Sequence, residues 1–237
     1  MEFALYGAPG ELPELPRGPA RIGSTEVLVS STPVGDDWAD RWREFHRPVD
    51  IGHIRVRAPW HEPREGGAGG AGGTGIDIVI DPGQAFGTGA HPTTRVCLEL
   101  LQELPAGGPL ADLGCGSGVL AIAAAKLGFA PITAVDNEQA AVEATRGNAS
   151  ANGVTLERVE RCDLRRQPAP VAPVTVANLV RPLLLEVAEL LPEQPETLIV
   201  SGLLEGEEDE VAAAFASFNE RRRLRLQGWS ALLLTRP

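Results

Sequence analysis

The feature that most constrains the fold is a regular alternation of amphipathic segments and short apolar runs, which continues from Pro92 to the C-terminus. Apolar residues at every third or fourth position predict helices, and short apolar runs bounded by turn residues predict strands. The predicted helices are Thr93–Glu103, Val119–Leu127, Glu138–Asn152, Pro182–Leu190 and Glu205–Phe218. The predicted strands are Leu110–Leu113, Ile132–Val135, Leu156–Glu160, Val174–Ala177, Thr197–Ser201, Arg223–Leu226 and Ala231–Thr235. This alternation is typical of a parallel sheet with helices on both faces.

The last two predicted strands are joined near Gly228, so we expect them to form an antiparallel C-terminal hairpin at the sheet edge. The expected fold is therefore α/β, with a doubly wound, seven-stranded, Rossmann-like sheet. We place this domain at residues 81–237 and expect residues 1–80 to form a short N-terminal extension and linker. The ten residues Gly66–Gly75 contain seven glycines, which predicts a flexible loop.

Three strands and one helix are predicted within the N-terminal extension. Glu26–Ser30, Ile54–Arg57 and Ile76–Ile80 have the composition of strands. Asp36–Phe45 is predicted to form an amphipathic helix, because its aromatic residues recur three and four positions apart.

Composition excludes several functional classes. The net charge of −11 argues against a general nucleic-acid-binding protein, which needs a broad basic surface. Three cysteines, Cys97, Cys115 and Cys162, have neither disulfide nor zinc spacing, and the four histidines also lack metal-ligand spacing, so we expect no metal. There is no apolar run of membrane-spanning length and no secretion signal, so the cytoplasm is the expected compartment. Composition leaves the oligomeric state open.

The strongest functional signal is the glycine-rich segment Asp112–Gly118, which lies between a predicted strand and a predicted helix. Ligands of open α/β sheets bind at the carboxyl ends of the strands, where glycine lets the backbone approach closely. A dinucleotide fingerprint would have its third glycine at the position of Val119, and the carboxylate of Asp112 would repel a pyrophosphate. A cationic ligand without phosphate, such as S-adenosylmethionine, fits better. A simple structural turn is the alternative.

Two further acidic residues follow predicted strands. Asp136 lies 22 residues after Gly114, where a carboxylate can accept hydrogen bonds from both ribose hydroxyls of an adenosine. The alternative is that Asp136 caps the next helix. Asp163 follows the third strand, where it or the neighbouring backbone could meet the adenine amino group; a solvated loop acid is the alternative.

Asn178 ends the fourth predicted strand and is followed by Leu179. The amide oxygen of Asn178 and the next backbone carbonyls can accept hydrogen bonds from a substrate amine. Such contacts would align the nitrogen lone pair with a methyl donor for in-line displacement. The alternative is that Asn178 caps the helix that follows.

The irregular loop Asp81–Thr94, the glycine-rich segment and the Asn178 segment together resemble the PrmA family. The Asp36–Trp38 helix start, the Pro59-Trp60 pair and Trp229 also resemble that family, over about residues 36–237. Members methylate amino groups of protein eleven of the large ribosomal subunit. The resemblance implies a methyltransferase that uses S-adenosylmethionine and a protein substrate such as a ribosomal protein, with no direct nucleic-acid or membrane partner.

Carried over by position, the resemblance implies cofactor contacts at Thr94, Gly114, Asp136 and Asn178, with Phe86 and Gly87 closing over the cofactor. Together with the residues argued above, the expected cofactor site contains Phe86, Gly87, Thr94, Asp112, Gly114, Gly116, Asp136, Asp163 and Asn178, and the expected catalytic residues are Asn178 and Leu179. One departure concerns the N-terminus. About 35 residues precede the Trp38 helix, where the family usually has an α/β sandwich that grips the ribosomal protein.

Three alternatives stay open at this point. A methyltransferase with the same core could act on another protein or on a small molecule. A nicotinamide-dependent dehydrogenase is disfavoured by the glycine spacing, and a non-catalytic cofactor-binding module is disfavoured by Asn178. His91 is a candidate general base, with loop packing as the alternative.

Overall fold

The computed structural model describes residues 18–22, 25–29, 46–63, 75–82, 87 and 89–237. The chain divides into two compact units, Met1–Glu44 and Phe45–Pro237. In the first unit, β1 (Gly18–Ile22) pairs antiparallel with β2 (Thr25–Val29). The prediction of β2 is confirmed within one residue. The sequence analysis missed β1, because glycine and proline at its start are rare in strands.

The predicted helix Asp36–Phe45 and most of the glycine-rich loop lie outside the described residues.

The second unit begins with a small three-stranded sheet. Its central strand β4 (Ile54–Arg57) pairs antiparallel with β3 (Val49–Ile51) and parallel with β5 (Ile76–Val79). The Nε of Arg57 donates to both carboxylate oxygens of Asp77 at 3.0 and 2.9 Å, which ties β4 to β5. The predictions of β4 and β5 are confirmed. The sequence analysis missed β3, which is too short at three residues to show an alternating pattern.

The larger sheet has seven strands in the order β11-β12-β10-β9-β6-β7-β8. These strands are β6 (Leu110–Leu113), β7 (Ile132–Asp136), β8 (Arg158–Arg161), β9 (Val174–Asn178), β10 (Thr197–Leu204), β11 (Asn219–Leu226) and β12 (Trp229–Thr235). The helices of this unit are α1 (Pro92–Glu103), α2 (Val119–Leu127), α3 (Gln139–Ala151), α4 (Arg181–Leu190) and α5 (Glu208–Ala214).

The strand order confirms the predicted fold class. Strands β6 to β10 run parallel, whereas β12 pairs antiparallel with both β10 and β11. The chain leaves β6, moves outward to β7 and β8, and then returns to β9 on the other side of β6. The gap between β6 and β9 is therefore a topological switch point, the place where ligands of open α/β sheets bind.

Two apolar clusters cover the two faces of the sheet. One contains Leu100 of α1 and Ile122 of α2, and the other contains Leu184 of α4 and Val211 of α5. Most predicted boundaries agree within two residues. The largest differences are at α5, which is shorter than predicted, and at β11, which begins at Asn219 because an edge strand tolerates exposed charged side chains.

The structure shows where the expected N-terminal extension meets the core. Residues 46–63 and 75–80 lie in the same compact unit as the seven-stranded sheet. The functional division at residue 80 stays a prediction.

Candidate functional site

The glycine-rich segment and Asn178 lie side by side at the switch point. Strand β6 pairs in parallel with β9, and Leu113 stands opposite Ala177 in their register. The segment after Leu113 and the end of β9 therefore emerge at the same edge of the sheet. The structure thus brings together two motifs that are more than 60 residues apart in the sequence.

The segment that links β6 to α2, residues 114–118, is called the glycine loop below. Gly114, Gly116 and Gly118 have φ angles of +76°, +54° and +81°, a region that side chains disfavour. The amides of Gly114 and Cys115 both donate to the carbonyl oxygen of Val135, at 2.8 and 2.9 Å. These bonds anchor the loop to the neighbouring strand β7.

Leu179 is held between two glycines. A Cβ atom at Gly114 would lie 2.3 Å from Cδ2 of Leu179, and a Cβ atom at Gly202 would lie 2.1 Å from the Leu179 carbonyl oxygen. The Leu179 amide donates to the carbonyl oxygen of Ser201 at 3.0 Å. The close approach fixes the backbone beside Asn178. The sequence analysis missed Gly202, although a glycine inside a strand often marks a close backbone approach.

Asn178 does not cap the helix that follows it. The N-terminal cap of α4 is Val180, which makes no side-chain capping bond. Asn178 is partly buried, and no described residue forms a hydrogen bond with its side chain. Its side-chain amide has no partner among the described residues, and a ligand contact at Asn178 stays a prediction.

Asp136 ends β7 and bonds to backbone amides with both carboxylate oxygens. Its Oδ2 accepts from Gly116 at 2.9 Å, and its Oδ1 accepts from Glu138 at 3.0 Å. The second bond matches the helix-start alternative, although the capping position of α3 is Glu138. The first bond links the carboxylate directly to the glycine loop. A ribose contact at Asp136 stays a prediction.

Two buried polar atoms, one in β6 and one in α1, have no hydrogen-bond partner. Asp112 is fully buried; its Oδ2 accepts from the amide of Ala121 at 3.1 Å, but its Oδ1 has no partner. Burial raises the pKa of Asp112 to about 7. The hydroxyl of Thr94, in the first turn of α1, is also buried and without a partner. Native proteins rarely leave such groups unsatisfied, so each is a candidate ligand contact.

Gly87 contacts the glycine loop, and its closure over a cofactor stays a prediction. The hydroxyl of Ser117 donates to its carbonyl oxygen at 2.6 Å. Phe86 lies outside the described residues. Asp163 occupies a local turn, in which its Oδ1 accepts from the amide of Arg165 at 3.1 Å and its own amide donates to Gln167 at 2.9 Å. An adenine contact at Asp163 stays a prediction.

His91 is the N-terminal cap of α1. Its Nδ1 lies 2.8 Å from the Thr93 hydroxyl and 3.4 Å from the Thr93 amide, and its ring packs edge-on against Trp229 at 4.8 Å. Burial lowers the pKa of His91. These contacts match the packing alternative rather than a free general base.

In the part of the chain that the structure describes, no group of histidine, cysteine or acidic side chains is placed to hold a metal ion. No helix among those residues has the length and apolar character that crossing a membrane requires.

Comparisons with known proteins identify the family and the fold. The family model "Ribosomal protein L11 methyltransferase (PrmA)" matches residues 21–237. A ribosomal protein L11 methylase from Lactobacillus delbrueckii subsp. bulgaricus has a solved structure that is 27% identical, with a TM-score of 0.69. That match covers 80% of this chain and 98% of the other. A tRNA (uracil-54, C5)-methyltransferase from Pyrococcus abyssi, 18% identical with a TM-score of 0.55, shares the fold over 68% of this chain and 43% of its own.

Two curated relatives carry the name ribosomal protein L11 methyltransferase. The protein from Caldanaerobacter subterraneus subsp. tengcongensis is 35% identical over 84% of this chain, and the protein from Edwardsiella ictaluri is 40% identical over 76%. The aligned part spans 64% and 60% of the length of these relatives. Since the family model matches nearly the whole sequence, the chain belongs to the ribosomal protein L11 methyltransferase (PrmA) family.

Proposed function

We propose that this protein transfers a methyl group from S-adenosylmethionine to an amino group of a protein, and that the acceptor is ribosomal protein L11. One observation carries the proposal: the glycine loop and the end of β9 lie side by side at the switch point, where the side-chain amide of Asn178 has no partner among the described residues. The names of the curated relatives support the choice of acceptor. We assign the chemistry to residues 81–237 and expect it to take place in the cytoplasm.

The residues of the site fit S-adenosylmethionine. The Oδ1 of Asp112 is buried without a partner and is a candidate acceptor for the ammonium of this ligand, whose positive charge would favour the ionised carboxyl. Asp136 stands at the end of the next strand, where an adenosine ribose would lie in folds of this type. The cofactor supplies an electrophilic methyl group on a sulfonium.

The acceptor amine is held by Asn178. Its amide oxygen accepts a hydrogen bond from the amine and so directs the nitrogen lone pair. The Leu179 backbone, held between Gly114 and Gly202, keeps Asn178 in place. Leu179 itself is proposed to contribute its backbone carbonyl. Positioning of this kind needs no covalent intermediate with the protein.

The mouth of the site has features that suit a protein substrate. Among the described residues, the exposed large hydrophobic side chains are Val180, Leu190 and Leu204. Val180 is 61% exposed and lies two residues from Asn178, and Leu204 is 50% exposed at the end of the neighbouring strand β10. Exposed apolar groups beside a site often contact a partner. The net charge of −11 favours a basic partner.

A lysine amine must lose a proton before it attacks, because its unperturbed pKa is about 10.4. We assign no general base among the described residues of these motifs. His91 is the N-terminal cap of α1, and its ring already accepts a hydrogen bond from the Thr93 amide. The site therefore contributes chiefly by orienting the neutral amine and by excluding water.

The proposal is tested with S-adenosylmethionine that carries a labelled methyl group. Purified protein is incubated with this cofactor and an extract of cells that lack the enzyme, and labelled species are identified by mass spectrometry. We expect the label on amino groups of ribosomal protein L11. Label on a small molecule or on another protein would replace the proposed acceptor, and no transfer to any species would contradict the proposed activity.

A further inference from the structure

Two polar residues on one face of α3, and the asparagine that caps its C-terminus, bond to the backbone of neighbouring segments. Thr145, Asn148 and Asn152 are three and four positions apart, so they lie on the same side of the helix. Thr145 is fully buried and Asn148 is 5% exposed. We call Thr145, Asn148 and Asn152 the polar face of α3. Polar groups at such buried positions require bonding partners.

Two of these residues bind consecutive carbonyl groups of the glycine loop. The Thr145 hydroxyl donates to the carbonyl oxygen of Gly116 at 3.0 Å, and Nδ2 of Asn148 donates to the carbonyl oxygen of Ser117 at 2.8 Å. In a planar trans peptide, the N–H points away from the carbonyl oxygen of the same unit. The Ser117 N–H therefore points away from α3, and no described residue accepts a hydrogen bond from it.

Asn148 also binds the segment that follows the three-stranded sheet. Its Oδ1 accepts from the amide of Asp81 at 3.0 Å, so one side chain joins this segment to the glycine loop. Asn152, the C-terminal cap of α3, makes no bond to the glycine loop: its side-chain amide pairs with both the N–H and the carbonyl oxygen of Val79, at 2.9 and 2.6 Å, and its Nδ2 also donates to the carbonyl oxygen of Asn148 at 2.8 Å. The two asparagines thus anchor different segments, and of the two only Asn148 bonds to the glycine loop.

We infer that Thr145 and Asn148 are positioning residues of the cofactor site, which set the orientation of the glycine loop and leave the Ser117 N–H free to donate to the ligand. The bond from Asn148 to Asp81 couples this orientation to the residues that precede α1. The inference rests on the proposed function, because it requires a ligand at the glycine loop.

Thr145 and Asn148 each have a substitution that changes the hydrogen bonds of the side chain and nearly keeps its shape. Thr145→Val keeps the packing against Gly118, where a Cβ atom would lie 2.8 Å from the Thr145 methyl group, and it removes the hydroxyl. Asn148→Asp keeps an acceptor for the Asp81 amide and replaces the donor to Ser117 with a carboxylate oxygen. Asn152→Ala is the control, because it removes two bonds to Val79 and one to the Asn148 carbonyl but none to the glycine loop.

The test measures the affinity of the full chain for S-adenosylhomocysteine by calorimetry, with melting temperatures measured in parallel. We expect Thr145→Val and Asn148→Asp each to weaken binding about tenfold, which corresponds to about 1.4 kcal/mol, whereas Asn152→Ala lowers the melting temperature and leaves the affinity within twofold. Asn148→Ala should behave as Asn148→Asp does; if it does not fold, the isosteric Asp variant carries the test.

Two results would overturn the inference. Wild-type affinity in both Thr145→Val and Asn148→Asp would remove the positioning role, and equal losses of affinity in these variants and in Asn152→Ala would reduce the polar face of α3 to a structural role. Wild-type protein that binds no S-adenosylhomocysteine would instead contradict the proposed function, so the two failures are distinguishable.

Discussion

Gly202 offers a direct test of how the site holds Asn178. A Cβ atom at this position would lie 2.1 Å from the carbonyl oxygen of Leu179, a distance at which the backbone must shift. In Gly202→Ala, we expect the Leu179 segment to move by roughly 1 Å, since packed interiors have little free space. A displacement of this size costs on the order of a hundredfold in rate when it misorients reacting groups, or about 2.7 kcal/mol on the barrier.

Gly206→Ala is the matched control for this substitution. Gly202 and Gly206 have φ angles of +89° and +102°, so an alanine at either position has unfavourable backbone strain of about 1–2 kcal/mol. A Cβ atom at Gly206, however, would have no heavy atom within 4 Å. Both variants should therefore lose stability, and only Gly202→Ala should lose turnover.

The assay is single-turnover methyl transfer to ribosomal protein L11 at saturating cofactor, with melting temperatures of both variants measured alongside. Turnover in Gly202→Ala that equals turnover in Gly206→Ala would refute the view that the Gly202–Leu179 contact positions the catalytic segment.

Three further predictions concern the carboxylates and the amide of the site. Asp136→Ala should weaken binding of S-adenosylhomocysteine by about 1.5–3 kcal/mol, measured by calorimetry, because a charge-assisted bond to the ligand and the bond to Gly116 are both lost; unchanged affinity would leave Asp136 a purely structural role. Asn178→Ala should lower single-turnover methyl transfer at least about a hundredfold and cofactor affinity less, and near-normal turnover would contradict its positioning role. Because burial raises the pKa of Asp112 from 3.8 to about 7, the folded state retains a proton that the unfolded state loses, and this carboxyl makes the free energy of unfolding fall as pH rises from about 4 to 7. Urea titrations at pH 5 and pH 8 measure the free energy of unfolding at the two pH values. From pH 5 to pH 8 this free energy should fall less in Asp112→Asn than in wild type, and an equal fall would refute the raised pKa of Asp112.

The sequence predicted the larger sheet well, because its strands are signalled by local patterns. Leu110–Leu113 is wholly buried and is bounded by glycine and proline, so it has the composition of a central strand. Strands β1 and β3 were missed, since neither shows a run of alternating apolar residues. The end of α5 was predicted too late, because Phe215 and Phe218 continue the helical spacing although the helix ends at Ala214.

For the site, the sequence could identify motifs but not their contacts. The glycine loop and Asn178 follow strands, and their meeting at the switch point follows from parallel topology. Gly202 was not singled out because it lies just beyond the predicted end of its strand at Ser201, and the sequence around Thr145 and Asn148 does not reveal which backbone atoms they approach. Those contacts depend on tertiary packing between elements that are distant in the sequence.

The central claim is that the carboxyl edge of this sheet binds S-adenosylmethionine rather than a phosphate-bearing dinucleotide. Calorimetric titration of the purified chain with S-adenosylhomocysteine and, separately, with NAD tests it directly. Saturable binding of S-adenosylhomocysteine and no binding of NAD is the predicted result. Tight binding of NAD without binding of S-adenosylhomocysteine would contradict the account.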